Sequence, residues 1–152
     1  MLPIQPSSHP ATSSSTLAFP LHEAIKAGNV NACIELMSRP NVDINLPNQD
    51  EYTPLFYAIL SEQTDIALKL IEHPSISESI NQVFYHDGYG VTPLLVAINN
   101  KQTDVALKLL EHPSISDSIN HLEKGDGATP LLAAIFTEQT DIALKLLKRD
   151  DI

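Results

Sequence analysis

EQTDIALKLIEHPSISESIN at residues 62–81 returns as KQTDVALKLLEHPSISDSIN at residues 101–120. The two copies differ only at Glu62/Lys101, Ile66/Val105, Ile71/Leu110 and Glu78/Asp117. A partial third copy, EQTDIALKLLKRD, runs from Glu138 to Asp150. A Thr-Pro-Leu triplet precedes each one, at Thr53-Pro54-Leu55, Thr92-Pro93-Leu94 and Thr129-Pro130-Leu131. From Thr53 to Thr92 is 39 residues and from Thr92 to Thr129 is 37. Self-similarity at a fixed period of about 20–50 residues is the signature of a solenoid, propeller or array. The functional question becomes what such an array holds rather than what it converts.

Working outward from the block, each copy reads as two short helices. Thr53 is a natural N-cap, and Pro54 suits the first helical position, where its missing N–H costs nothing. Leu55, Ala58 and Ile59 share one face. A second helix begins near Thr64, with Asp65 at its positive dipole end and Ile66, Ala67, Leu70 and Ile71 as its apolar stripe. Asp65 and Lys69 are spaced for an i,i+4 pair. Pro74 ends the helix, because the residue before proline avoids helical geometry. The same assignments carry to Thr103, Asp104, Val105, Leu109, Leu110 and Pro113. His73 and His112 precede these prolines, where a positive side chain would favour the helix C-terminus. Asp-Gly pairs in 81–91 (NQVFYHDGYGV) and 120–128 (NHLEKGDGA) signal tight turns, and 45–52 (NLPNQDEY) turns through Pro47 and Asn48. An earlier unit opens FPLHEAIKAGNVNACIELM, Phe19–Met37.

A turn followed by two helices carrying T-P-L-x-x-A resembles the ankyrin repeat. The matches are Thr53-Pro54-Leu55 with Ala58, Thr92-Pro93-Leu94 with Ala97, and Thr129-Pro130-Leu131 with Ala133 and Ala134. The first unit keeps Pro20-Leu21-His22, Ala24 and Ala27-Gly28-Asn29. Val42-Asp43-Ile44-Asn45, Ile80-Asn81 and Ile119-Asn120 look like the family's exit toward the next finger. The resemblance spans about 17–152 and implies an all-α, helix-turn-helix solenoid with projecting hairpin loops. The repeats fall at about 17–52, 53–91, 92–128 and 129–152, after a Pro/Ser/Thr-rich tail at 1–16 that is expected to be disordered. Three units depart from the family's pattern. Phe56, Leu95 and Leu132 replace its histidine. Glu62, Lys101 and Glu138 replace its interhelical glycine, which predicts a differently built turn.

Composition limits the partners. The net charge is −10, from 19 acids against 9 bases. Such a chain is poorly suited to neutralising phosphates or binding anionic membranes, so nucleic acid and membrane are not expected partners. A basic protein surface is its electrostatic complement, although the charge also serves solubility. The single cysteine, Cys33, lies in an apolar helical pattern and reads as a small buried hydrophobe. It permits no intrachain disulfide, which agrees with a cytoplasmic setting. There is no run long enough to span a membrane and no signal-peptide pattern.

No catalytic, cofactor or metal constellation rises above background. No phosphate cradle, nucleophile elbow or H-E-x-x-H occurs. His86-Asp87 could ligate a cation, but Asp87-Gly88 reads better as a turn. The expectation is therefore a non-enzyme that binds another protein through hairpin loops and the concave helix face. Six of the chain's eight aromatics fall between residues 52 and 89. The candidate binding residues are Tyr52, Phe56, Tyr57, Phe84, Tyr85, Asp87, Tyr89, Glu123 and Asp126. Tyr and Phe are enriched at interface centres, and the acids would steer a basic partner. The same aromatics would also suit filling the space between fingers. Two other functions fit the pattern: a targeting or regulatory part of a larger protein, such as a microbial effector acting in a host cytoplasm, and a self-associating structural protein. The last unit, with Leu132, Ile135, Phe136, Ile142 and Leu146, shows little of the polar outer face expected of a terminal repeat. Continuation of the chain or self-association through that end is the corresponding expectation.

Overall fold

The computed structural model describes residues 18–122 and 127–152. Four helix pairs follow one another: α1 (Pro20–Lys26) with α2 (Val30–Met37), α3 (Pro54–Leu60) with α4 (Thr64–Ile71), α6 (Pro93–Asn99) with α7 (Thr103–Glu111), and α9 (Pro130–Phe136) with α10 (Thr140–Leu147). Two single-turn helices, α5 (Ser77–Ile80) and α8 (Ser116–Ile119), and one hairpin, β1 (Phe84–His86) with β2 (Tyr89–Val91), lie between them. First helices pack in one row, α1 against α3, α3 against α6 and α6 against α9. Second helices pack in a parallel row, from α2 through α4 and α7 to α10. The expected helical solenoid is thus the observed architecture.

The starts of the first helices are written in Thr-Pro. The hydroxyl oxygens of Thr53, Thr92 and Thr129 accept from the N–H groups of Phe56, Leu95 and Leu132, each at 3.3 Å. Such a cap is worth about 1 kcal/mol. Proline follows at the first helical position in all three.

The turn between paired helices corrects one expectation. Glu62, Lys101 and Glu138 adopt φ of 57°, 55° and 60°, close to the 64° of Gly28. At each position the same two bonds close the helix. In unit two, Glu62 N–H donates to Ile59 O at 3.1 Å and Gln63 N–H to Ala58 O at 2.8 Å. In units three and four the donors are Lys101 and Gln102, then Glu138 and Gln139. This is the Schellman motif, which usually recruits glycine. The turn is not built differently; three non-glycine residues are held in the glycine conformation by the bonds on either side.

The exits, HPSIS-x-SIN at 73–81 and 112–120, contain α5 and α8 and bury Ile76, Ile80, Ile115 and Ile119. Asn45 donates to Ser75 O at 2.7 Å and accepts from the Ser79 hydroxyl at 2.5 Å. Asn81 repeats this one unit on, donating to Ser114 O and accepting from Ser118 N–H at 3.1 Å and its hydroxyl at 2.7 Å. Each asparagine therefore latches its unit to the next. His73 and His112 act locally as well. Ser75 N–H donates to His73 Nδ1 at 3.2 Å and Ser114 N–H to His112 Nδ1 at 3.1 Å. His73 Nε2 in turn reaches Met37 O at 3.2 Å. These rings brace the turns that follow α4 and α7.

Lys69 does not pair with Asp65 but lies 3.8 Å from Glu72, which also takes Lys108 of the following unit at 3.2 Å. Lys145 reaches Glu111 at 2.6 Å in the same way. Cys33 is buried, and burial pushes its thiol up to about 11. In the last unit Ile142 and Leu146 are fully buried, so the open end consists of Leu132, Ile135 and Phe136 together with Leu144 and Leu147.

Candidate protein-binding face

The hairpin is where sequence differences between units become shape. β1 and β2 pair antiparallel, with Phe84 opposite Val91, Tyr85 opposite Gly90 and His86 opposite Tyr89. The loop is Asp87-Gly88, with φ of 50° and 84°. Two successive positive φ values make the primed turn whose twist suits a two-residue hairpin. Alternation along β1 then separates its aromatics: Phe84 turns inward and Tyr85 outward.

Phe84 roots the finger. Its ring centroid lies 3.8 Å from Phe56 and 5.9 Å from Tyr52, and Tyr52 lies 5.2 Å from Phe56. Phe56 and Phe84 are only 3% and 5% exposed, so in this structure they pack at the root of the finger, the alternative role expected for these aromatics. Tyr52, half-buried, closes this cluster from the preceding turn. Its carbonyl accepts from His22 Nε2 at 2.8 Å, and burial holds the His22 imidazole below its ordinary pKa.

Tyr85 and Tyr89 remain outside, 67% and 48% exposed. Tyr85 lies across its cross-strand partner. A Cβ at Gly90 would sit 2.9 Å from the Tyr85 ring and 3.0 Å from Val83. Glycine here gives the ring a backbone surface to lie on. Gly90 is also tied to the next unit, since its carbonyl accepts from His121 Nε2 at 3.0 Å. Asp87 is fully displayed at the tip, with His86 Nε2 3.4 Å from its carboxylate. Glu123 and Asp126 lie outside the described residues.

Tyr57 belongs to a second feature. It lines a groove of about 370 Å³ with Phe19, His22, Glu23, Lys26 and the turn at Asn48–Asp50. Its ring lies 5.7 Å from His22. The structure thus divides the sequence-derived set into a tip (Tyr85, Asp87, Tyr89), a root (Tyr52, Phe56, Phe84) and a groove wall (Tyr57). Glu23 and Lys26 were missed by sequence. Their signal was alignment, since Glu23 occupies the first-helix position of Tyr57.

Among the described residues, no group of His, Cys, Asp and Glu is placed to hold a metal ion. No described helix is long and apolar enough to cross a membrane. Stacked helix pairs with displayed turns define a repeat scaffold. Residues 9–83 match the family model described as ankyrin repeats (3 copies). With the stack of helix pairs, this makes the chain an ankyrin-repeat protein. No curated protein matches it. Ankyrin repeats generally serve as protein–protein interaction modules.

Proposed function

We propose that this chain is a non-catalytic, cytoplasmic binding module whose partner is a protein with a basic surface. The observation that supports this most is the pair Tyr85 and Tyr89, two large exposed aromatics on a finger whose root is packed in the core. Tyrosine supplies contact area at small conformational cost, and a rooted hairpin loses little further freedom on binding. Asp87 between them, with Asp50 and Glu51 on the preceding turn, supplies the acid that selects a basic partner. The groove lined by Tyr57 extends the reading to the first-helix side of the stack.

The test is crosslinking and pull-down with the full chain and with Tyr85→Ala/Tyr89→Ala. Loss of hot-spot residues costs about 2 kcal/mol or more each, or roughly thirtyfold per residue. Undiminished recovery of partners by a double variant that melts like the wild type removes this site.

A further inference from the structure

Among the described residues, no helix pair stacks on the outer side of α9 and α10. Leu132, Ile135 and Leu147 are 42%, 54% and 58% exposed. One unit earlier the same positions are Leu95, Ile98 and Leu110, at 0%, 0% and 2%. The difference is that α9 and α10 cover the third unit, and among the described residues no helix pair covers the fourth. At the other end, Ala32 and Leu36 of α2 are partly buried, where Ile66 and Leu70 at the same positions of α4 are fully buried.

Charge says what would fit. Inside the stack, the lysine of one second helix reaches back to a glutamate at the C-terminal end of the previous one: Lys108 to Glu72 and Lys145 to Glu111. At the two ends the signs are exchanged. Lys148 stands at the position of Glu72 and Glu111, and Glu35 stands at the position of Lys69, Lys108 and Lys145. Both end residues are exposed. Continuing the stack by one step with the first unit of another copy would bring its Glu35 to Lys148. A unit carrying the usual lysine would instead set like charges together. Glu35 already has Arg39 at 2.5 Å, as Glu72 has Lys69, and Glu72 shows that one carboxylate serves both neighbours.

We propose that copies of this chain associate head to tail, the first helix pair of one copy covering the Leu132, Ile135 and Leu147 face of another. This goes beyond the hairpin reading and uses a different surface. The contact is heterologous, so a dimer leaves a free face at each end for further copies. It is also weaker than the internal ones. Inside the stack, Gln102 Nε2 donates to Ile59 O at 2.7 Å and Gln139 Nε2 to Ile98 O at 2.6 Å. The first unit has Asn29 at that position, and its side chain caps α2 instead. The net charge of −10 further opposes association.

Sedimentation velocity of the full chain, at about 150 mM salt to screen the net charge, from micromolar to near-millimolar concentration, tests this. The sedimentation coefficient is expected to rise with concentration without a plateau at the dimer. Lys148→Glu and Glu35→Lys are each expected to weaken association about tenfold, since each turns an attraction into a repulsion. An equimolar mixture of the two variants is expected to recover it, because the acid introduced in one meets the lysine introduced in the other. Matched melting curves establish that the variants are folded. A wild type that stays monomeric overturns the proposal, and so does a mixture no stronger than its components. Association that ignores both charge changes but disappears in Ile135→Asp overturns the head-to-tail arrangement in favour of pairing through apolar faces alone.

Discussion

Replacing Glu62, Lys101 and Glu138 with glycine should make this protein more stable, although each change removes a side chain. All three residues sit at positive φ near 60°. An L residue pays roughly 1–2 kcal/mol to adopt that conformation, through contact of its Cβ with the following carbonyl. Glycine pays nothing there but loses about 0.5–1 kcal/mol more backbone entropy on folding. The difference is about 0.5–1 kcal/mol of stabilisation per site. The three side chains are exposed, and none forms an ion pair among the described residues, so little else is lost. With the sites in separate units, the effects should nearly add, to about 1.5–3 kcal/mol. At roughly 2–4 °C per kcal/mol for a chain of this size, the triple variant should melt about 5–10 °C higher. The converse change, Gly28→Ala at φ 64°, should cost about 1 kcal/mol, and its cost is conformational. The nearest atom to an added Cβ is Gln63 Oε1 at 3.4 Å, an ordinary contact with a flexible side chain. Urea unfolding followed by circular dichroism measures both. A triple variant no more stable than the wild type, or a neutral Gly28→Ala, refutes the account of these turns.

Phe84→Ala should destabilise by about 3–5 kcal/mol by emptying the hairpin root, whereas exposed Tyr85→Ala should stay within about 0.5 kcal/mol; denaturant midpoints distinguish them. Asn81→Ala should cost about 2–3 kcal/mol, because it strips partners from buried Ser118, and its loss should exceed that of an exposed control in the same assay. Burial lowers the His22 pKa from its ordinary 6.5, so below pH 6.5 the unfolded chain takes up a proton that the folded one resists. Stability should therefore fall as pH drops below 6.5 and be unaffected above it, and His22→Gln, which keeps a donor for Tyr52 O, should remove that part of the slope in pH-dependent melting. Cys33, with its thiol raised to about 11, should react with a thiol reagent only on unfolding, which a time course in and out of denaturant reports.

What could be read from the sequence was local. Thr-Pro at three helix starts and Asp-Gly at the hairpin tip act through neighbours within a few residues, and both do what their chemistry dictates. What could not be read depends on the next unit. Whether Lys69 turns to Asp65 or Glu72 is decided partly by Lys108, 39 residues on, which draws Glu72 between the two lysines. Ser77–Ile80 becomes helical because Ile76 and Ile80 are buried in the stack and Asn45 binds both Ser75 and Ser79. The turns at Glu62, Lys101 and Glu138 were misread for a related reason. A missing glycine does not mean a missing conformation, because two backbone bonds per turn are enough to impose it. Of the candidate site, the aromatic cluster was legible, but its division was not. The period-two alternation of β1 assigns Phe84 inward and Tyr85 outward only once strand register is known.

That division explains how a scaffold of near-identical units can present one distinctive surface. The residues that the units share form contacts between units: the asparagine latches, the glutamine bridges and the lysine–glutamate pairs. The finger is built from residues they do not share, and the contacts that set its pose come from residues that differ between units as well. Phe84 rests on Phe56 of α3 and Tyr52 of the turn before it, while Gly90 is held by His121 of the unit after. The orientation of Tyr85 therefore depends on contacts with both neighbouring units. The isolated hairpin, cut from that context, has two three-residue strands and no core of its own, and such a ribbon is marginal in water. A peptide of residues 81–91 should accordingly compete poorly with the whole chain for a partner that reads Tyr85 and Tyr89. Equal competition by the peptide would mean that recognition needs only the sequence of the finger and nothing of the stack that holds it.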